Sequence, residues 1–554
     1  MLDEAQLKRI QDPDTKQVVL QIANLLEQAL TEIDTLRAEL QRLKDENNRL
    51  KGEQGKPDVK ASKPPLSPKD TSGQSTDHSS EEQRRERSPR SKGTKNDKIV
   101  IHRTVKVEVE KESLPADAVS KGYETVIIQN LRLQLDNVEF MREVFYSPST
   151  GKSYMAPLPL GYEGGFGPEL KALLLNLHHL GNMSQPAIHN VFTQAGILVP
   201  TGWIGEFLIA DQEGFHQEKQ DIALAGLASG PWQQIDDTAT RVNGVNQHCH
   251  VLGNPLYTVY TTVPKRNRRS VLTVLHNGQP VPYLVNTEVL ESDVALGLSK
   301  ACRKALAAWP QDTAMDENEV LCLLDKTMPK LTKSSRKILM DTMAVAGYLA
   351  QTEVPVVKLL LCDDAPQFPG LTEELALCWV HDARHYQKLT PHLPLYRTTL
   401  DAFKKRYWDY YDLLLAYRKQ PTPEGRRVLW DSFDALFVPK TGYEQLDHRI
   451  RQTAANKGKL LQVLAHPEIP LHNNASELAV RRRVRKRDVS FGPRSAAGLA
   501  AWDTFQTILA TAQKLGVCFL AYIADRVSGR NEMPSLASLI RERASELNLG
   551  GSWA

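Results

Sequence analysis

Residues 356–364 read VVKLLLCDD, an apolar run of strand length that stops abruptly on two carboxylates. A near-continuous run of Val and Leu suits a strand buried on both faces, and an acid at its end is expensive to approach unless it has a use. Working outward, a short run upstream ends in Ile235-Asp236-Asp237, and strand-like stretches come next at 247–253, 256–263 and 270–276. Helical periodicity covers about 289–350. Downstream, the apolar run Leu375–Val380 leads to His381, residues 383–465 read as long amphipathic helices, and a final helical block runs from 474 to the end. Strands followed by helices, with acids at strand ends, predict a mixed α/β core interrupted by helical insertions.

The 554 residues suggest roughly three or four units at about 150 residues each. No run of about 18 apolar residues occurs, and the start MLDEAQLKRI lacks the apolar core of a signal peptide, so neither a membrane protein nor a secreted one is expected. The six cysteines include no CxxC pair and are too few to staple a fold, which fits a reduced, cytoplasmic setting. The formal net charge of +3 says little until its distribution is read.

That distribution is uneven. Over 1–52, Val19, Leu26, Ile33, Leu40 and Asn47 fall at one heptad core position, and Ile22, Ala29, Leu36, Leu43 and Leu50 at the other. This seam predicts a parallel coiled-coil homodimer, with Asn47 setting the register. Residues 53–98 carry few large apolar side chains and an excess of Lys and Arg, so a disordered basic linker is expected, either an electrostatic tether to nucleic acid or a soluble spacer. Alternating runs over 99–165 (IVIHRTVKVEVE, TVIIQNLRLQL) predict a small β-rich module. Within 166–230, Ser184 and Pro186 open a helix that Gly196 ends, and a second begins near Thr201. Two short helices about a glycine turn fit either a helix-turn-helix or simple helical packing.

Glu477 opens a helix in HNNASELAVRRRVRKR. Asn474, three residues earlier, would allow a capping box, but the next turns of the helix carry a cation cluster. Arg481, Arg482, Arg483, Arg485, Lys486, Arg487 and Arg494 face only Asp488 between 478 and 494. Arg481 and Arg485 lie one and two turns beyond Glu477, on its side of the helix. Cations beside carboxylates suit a site that holds phosphates while the acids hold magnesium, a hard ion that prefers oxygen ligands. Lys265, Arg266, Arg268 and Arg269 form a second basic group in an expected hairpin, a duplex contact or a solvated turn. His248 and His250 share a strand face, read as a solvated edge.

Four ordered motifs, QIDDTATRVNG (234–244), LLLCDDAPQF (359–368), CWVHDARH (378–385) and HNNASELAVR (472–481), resemble transposases of the insertion sequence 66 family. The C-terminal block GLAAWDTFQTILATAQKLGVCFLAYIADRV (498–527) fits the same pattern, and the likeness spans 17–50 and 150–527. It implies a ribonuclease H-like catalytic core, in two parts at 231–381 and 471–554 with a helical insertion at 382–470. It also implies an Asp-Asp-Glu site of Asp236, Asp363 and Glu477 holding two Mg2+ or Mn2+ ions. Asp237 and Asp364 remain runners-up, since strand alternation turns them away from the face of their neighbours. His381 matches the Cys-Trp-x-His element and is expected near the metals or the scissile phosphate; Arg384 reads as a phosphate contact or a helix ion pair. With no second ligand pair beside Cys378 and His381, no zinc is expected.

Three departures from the family stand out. No cysteine precedes Cys249, so the family's zinc-binding module is missing upstream. The helical stretch around 295–350 lengthens the gap between the two aspartates, and His472 stands where an acid often precedes the Asn pair. The resemblance implies cleavage at mobile-element ends and strand transfer into target DNA by a bacterial, nucleoid-associated dimer or higher homo-oligomer, with accessory proteins of the same element as further partners. Arg481, Arg482, Arg485, Lys486 and Arg487 would hold the DNA backbone. A non-catalytic coiled-coil DNA-binding protein and a nuclease without strand transfer are the competing expectations.

Overall fold

A computed structural model describes residues 6–7, 9–50, 99–110, 122–131 and 134–553. The expected linker over 53–98 lies outside the described residues.

The centre is a five-stranded mixed sheet in the order β5 (Tyr257–Val263), β4 (Val245–Asn254), β3 (Trp232–Val242), β6 (Leu359–Cys362), β7 (Glu374–Leu377). β3, β4 and β5 form an antiparallel meander; β6 joins β3 in parallel, and β7 joins β6 in parallel. Asn243 and Gly244 make the β3–β4 turn with φ of 47° and 78°, the left-handed pair that a two-residue hairpin with the sheet's twist requires. The runs predicted at 247–253 and 256–263 are thus strands, and VVKLLLC supplies β6, all four of whose residues are buried.

β5 is an edge strand, and a helix closes its open side. Asp503, Thr507 and Thr511, spaced by four on the helix Ala496–Lys514, accept from the N–H groups of Thr262 (2.8 Å), Tyr260 (3.0 Å) and Thr258 (3.2 Å). Four helical residues advance about 6 Å and two strand residues about 6.6 Å, so the two ladders stay in step over three rungs. The edge that could pair with another chain is covered by side chains instead.

Helices from Arg268 to Ala350 connect β5 to β6. The predicted strand at 270–276 is instead the helix Arg268–Leu275: Asn267 caps it by accepting from Ser270 N, and its β-branched Val271 and Val274 are buried against the sheet and the helix Lys333–Ala350. The basic group therefore sits at a helix start, not in a hairpin. A long helical insertion (Pro394–Ala455) comes after β7 and the helix Trp379–Gln387. Among the described residues of 99–165 the regular strands are one hairpin, β1 (Val144–Ser147) with β2 (Lys152–Met155), in place of the expected β-rich module. Residues 99–110 form no strand with any described residue, because alternation alone provides no partner strand. Helices Gln185–Gln194, capped by Ser184, and Thr201–Phe207 pack together as the two-helix reading expected.

The N-terminal helix Pro13–Leu50 has two different faces. Ala23 and Glu27 are buried against the insertion, where the Glu27 carboxylate accepts from His392 N (2.7 Å) and Leu393 N (3.0 Å) and so caps the helix that begins at Pro394. The heptad seam of Ile22, Leu26, Ile33, Leu36, Leu40 and Leu43 is exposed in the single chain. No helix among the described residues is long and apolar enough to cross a membrane.

Candidate functional site

β3 and β6 are paired as far as Gln234 and Leu361, and Asp236 and Asp363 each stand two residues further on. Equal offset on adjacent parallel strands puts both carboxylates on one sheet face, while Asp237 and Asp364 take the other direction. The helix Asn474–Ser490 is laid along β3 on that face. Asn473 Nδ2 donates to Ile235 O at 2.7 Å, Arg487 donates to Ala239 O, and Asn243 N donates to Pro493 O at 3.0 Å. Ala479 packs into a small core with Val251 and Tyr260, and the Tyr260 hydroxyl donates to Ala479 O (2.9 Å). This lacing brings Glu477 over Asp236. Sequence spacing did not reveal Asn473 as the residue that ties the helix start to β3.

Burial pushes Asp236 up to about 7, and the charges of Glu477, Asp363 and Asp237 push in the same direction, against the single N–H from Asp237 (2.8 Å). Asp363 Oδ1 accepts from Ala365 N at 3.2 Å. Glu477 Oε2 takes a hydrogen bond from Arg384 at 2.6 Å and lies 4.0 Å from Arg481; Oε1 is buried without a hydrogen bond. The capping box does not form: Asn473 is the N-cap and makes no side-chain cap bond, which leaves the Glu477 carboxylate free to face the sheet. His381 and Arg384, one turn apart on the helix after β7, both reach Glu477, with His381 Nε2 3.6 Å from Oε1. Burial lowers the His381 imidazole, outweighing the carboxylates around it. Of the expected set, His381 and Arg384 contact Glu477, and Asp236 and Asp363 lie close enough to act on one another's charge, but among the described residues the three carboxylates do not bring their oxygens within 4.8 Å of one another.

The runners-up have other partners. Asp237 is nearly buried and receives both the Nε (3.0 Å) and Nη2 (2.9 Å) of Arg266, and Asp364 lies at the surface 3.8 Å from His385. His248 and His250 sit on β4, a strand inside the sheet, and His250 is fully buried, which corrects the reading of a solvated edge.

The cation cluster divides. Arg481 and Arg485 are exposed. Arg482 reaches Gln513, and Arg487 reaches the β3 backbone. Lys486 is withdrawn from the DNA-contact set: it is fully buried, donates to His178 O, and is pushed down to about 7 by burial and by the neighbouring Arg483 charge. Of the second group, Lys265 and Arg266 are exposed, whereas Arg268 is held by the carbonyls of Pro369 and Gly370 and Arg269 by Glu317, Asp341 and Tyr283.

The donors Asp236, Asp363 and Glu477 are all hard oxygens. The raised Asp236 and the unpartnered buried Glu477 oxygen mark a surplus of negative charge that a divalent cation would neutralise. Beside them lies a softer set, Cys378, His381 and Glu477, whose ligand atoms are within 4.8 Å of one another.

No protein-family model matches the chain. The chain is similar to an uncharacterized protein, y4jO, of Sinorhizobium fredii, at 29% identity over 323 residues that cover 58% of this chain and 99% of that protein.

Proposed function

We propose that the protein is a DNA transposase with a ribonuclease H-like core, cutting phosphodiesters at mobile-element ends and joining the freed 3′ ends to target DNA. The observation that carries the reading is the placement of Asp236 and Asp363 at matching offset on adjacent parallel strands with Glu477 on the covering helix, where burial first and then the charges of Glu477 and Asp363 raise Asp236. The strand order supports it: three antiparallel strands continued by two parallel ones, with the acids on the central strand, beside its parallel neighbour and on a covering helix. Magnesium or manganese ions bound to these carboxylates would supply activation of the attacking oxygen and stabilisation of the leaving one. Asp236 and Asp363 hold one side of the site and Glu477 the other. Arg384 orients Glu477 through the 2.6 Å hydrogen bond, while exposed Arg481 and Arg485 attract the DNA backbone. The exposed heptad seam supports a homodimer in which two such sites act on two element ends.

The test is incubation of the full chain with labelled element ends, magnesium and a target plasmid, with any accessory proteins of the element supplied. Cleavage followed by joining, both abolished in Asp363→Ala, is expected. Cleavage without joining reduces the reading to a nuclease, and binding without cleavage overturns it.

A further inference from the structure

Magnesium does not use sulfur and seldom uses imidazole, so Cys378 and His381 are poor company for it. Their arrangement is nonetheless specific. Cys378 is the N-cap of the helix Trp379–Gln387, almost wholly buried, and its sulfur accepts the N–H of Asn473 at 3.2 Å. His381 sits one turn further on, with Nε2 3.6 Å from Glu477 Oε1. That oxygen has no hydrogen bond, since Arg384 occupies only the other one. Two ligands of one tetrahedral zinc, at bond lengths of about 2.0–2.3 Å, stand about 3.3–3.8 Å apart. The nitrogen and oxygen already have that spacing, and the sulfur, one ring nitrogen of His381 and one oxygen of Glu477 lie within 4.8 Å of one another.

We propose that Cys378 Sγ, His381 Nε2 and Glu477 Oε1 bind one zinc ion, and that this ion opposes the magnesium-dependent reaction by claiming Glu477. The sulfur, nitrogen and oxygen set with one open position is a zinc geometry that magnesium does not share. Binding replaces the Cys378 S–H bond with a sulfur–zinc bond and releases the proton to solvent. Burial disfavours the Cys378 thiolate and the Asn473 N–H directed at the sulfur offsets only part of that, so the charge of the zinc ion itself has to hold the anion. Glu477 cannot serve both ions in its present orientation, so occupancy of the soft set depletes the hard one. The inhibitory part rests on the reading of Glu477 as a member of the carboxylate site; the binding part does not.

Cobalt(II) added to the full chain provides a readout independent of activity. One equivalent should give tetrahedral visible bands and a near-ultraviolet sulfur-to-cobalt band. The latter should vanish in Cys378→Ser, which keeps an acceptor for the Asn473 N–H, and weaken in His381→Gln. Equimolar zinc should slow magnesium-dependent cleavage about tenfold or more, and Cys378→Ser should raise the inhibitory zinc concentration by about tenfold or more. Absence of the sulfur band, or its persistence in folded Cys378→Ser, overturns the site. Cleavage indifferent to zinc overturns the inhibition while leaving the transposase reading intact. Cobalt binding with no DNA cleavage in any condition removes the transposase reading and leaves the metal site standing.

Discussion

Two buried charge clusters lie along the same helix, Asn474–Ser490, and they are solved in opposite ways. In one, Arg483 is fully buried and donates to Asp503 (2.9 Å), Gln506 (2.8 Å) and Thr262 (3.0 Å), while Asp503 also accepts from the Thr262 backbone and hydroxyl. There Arg483 and Asp503 are opposite charges in direct contact, with the Lys219 amine also near both. In the other, Asp236 has one backbone N–H and three like charges around it. The first cluster is closed and fastens the helix to β5. The second is left with excess negative charge, the mark of a site that an external cation completes.

The contrast can be broken experimentally, beginning with its largest consequence. Asp236→Asn should lower magnesium-dependent DNA cleavage by about a thousandfold or more, since a neutral amide cannot hold the cation as a carboxylate does; single-turnover cleavage of a labelled element end measures it. Near-normal cleavage would mean that the open cluster is not the reactive one. In the closed cluster, Arg483→Ala should remove about 3–5 kcal/mol of stability by stranding Asp503, read from urea unfolding.

Stability against pH sharpens the comparison further. Asp236 is raised from 3.8 to about 7 in the folded protein, so folding favours its neutral form. Below about pH 4 it is protonated in both states and contributes nothing; stability is then lost as pH rises towards about 7 and is constant above. In metal-free buffer, Asp236→Asn should therefore be more stable than the natural chain at pH 8, by at most about 4 kcal/mol, and equal to it at pH 3.5. Magnesium should raise the melting temperature of the natural chain and not that of the variant. The smallest effect belongs to Arg485→Ala, which touches neither cluster. Stability should change by no more than about 0.5 kcal/mol, and the slope of DNA affinity against salt should fall by about one.

Much of the sheet was legible because its signals are local. Runs of strand length identify β4, β5 and β6, and an acid at a strand end points to Asp363, whereas Asp236, expected at the end of a short strand, stands within β3, which runs on to Val242. The segment 270–276 was not legible: Val, Leu and Thr favour a strand, and the Asn267 cap together with packing on Lys333–Ala350 overrode that preference. The alternating run 99–110 had strand chemistry but no partner strand among the described residues. Counting cations over 478–494 could not separate Arg485, which is exposed, from Lys486, whose amine is turned into the core against His178.

By itself the sequence determined the mixed α/β class and the heptad seam, because periodicity is written in neighbouring residues; the three acids were what the family resemblance implied. Only the tertiary structure decided which charges are paired with each other and which are left for a ligand. Asp503 neutralises Arg483 from another helix, and Glu477 comes over Asp236 because Asn473 ties the helix start to Ile235. A charge's role depends on what lies within a few ångströms of it, and residues that far apart in the chain become neighbours only when the sheet and its covering helix close.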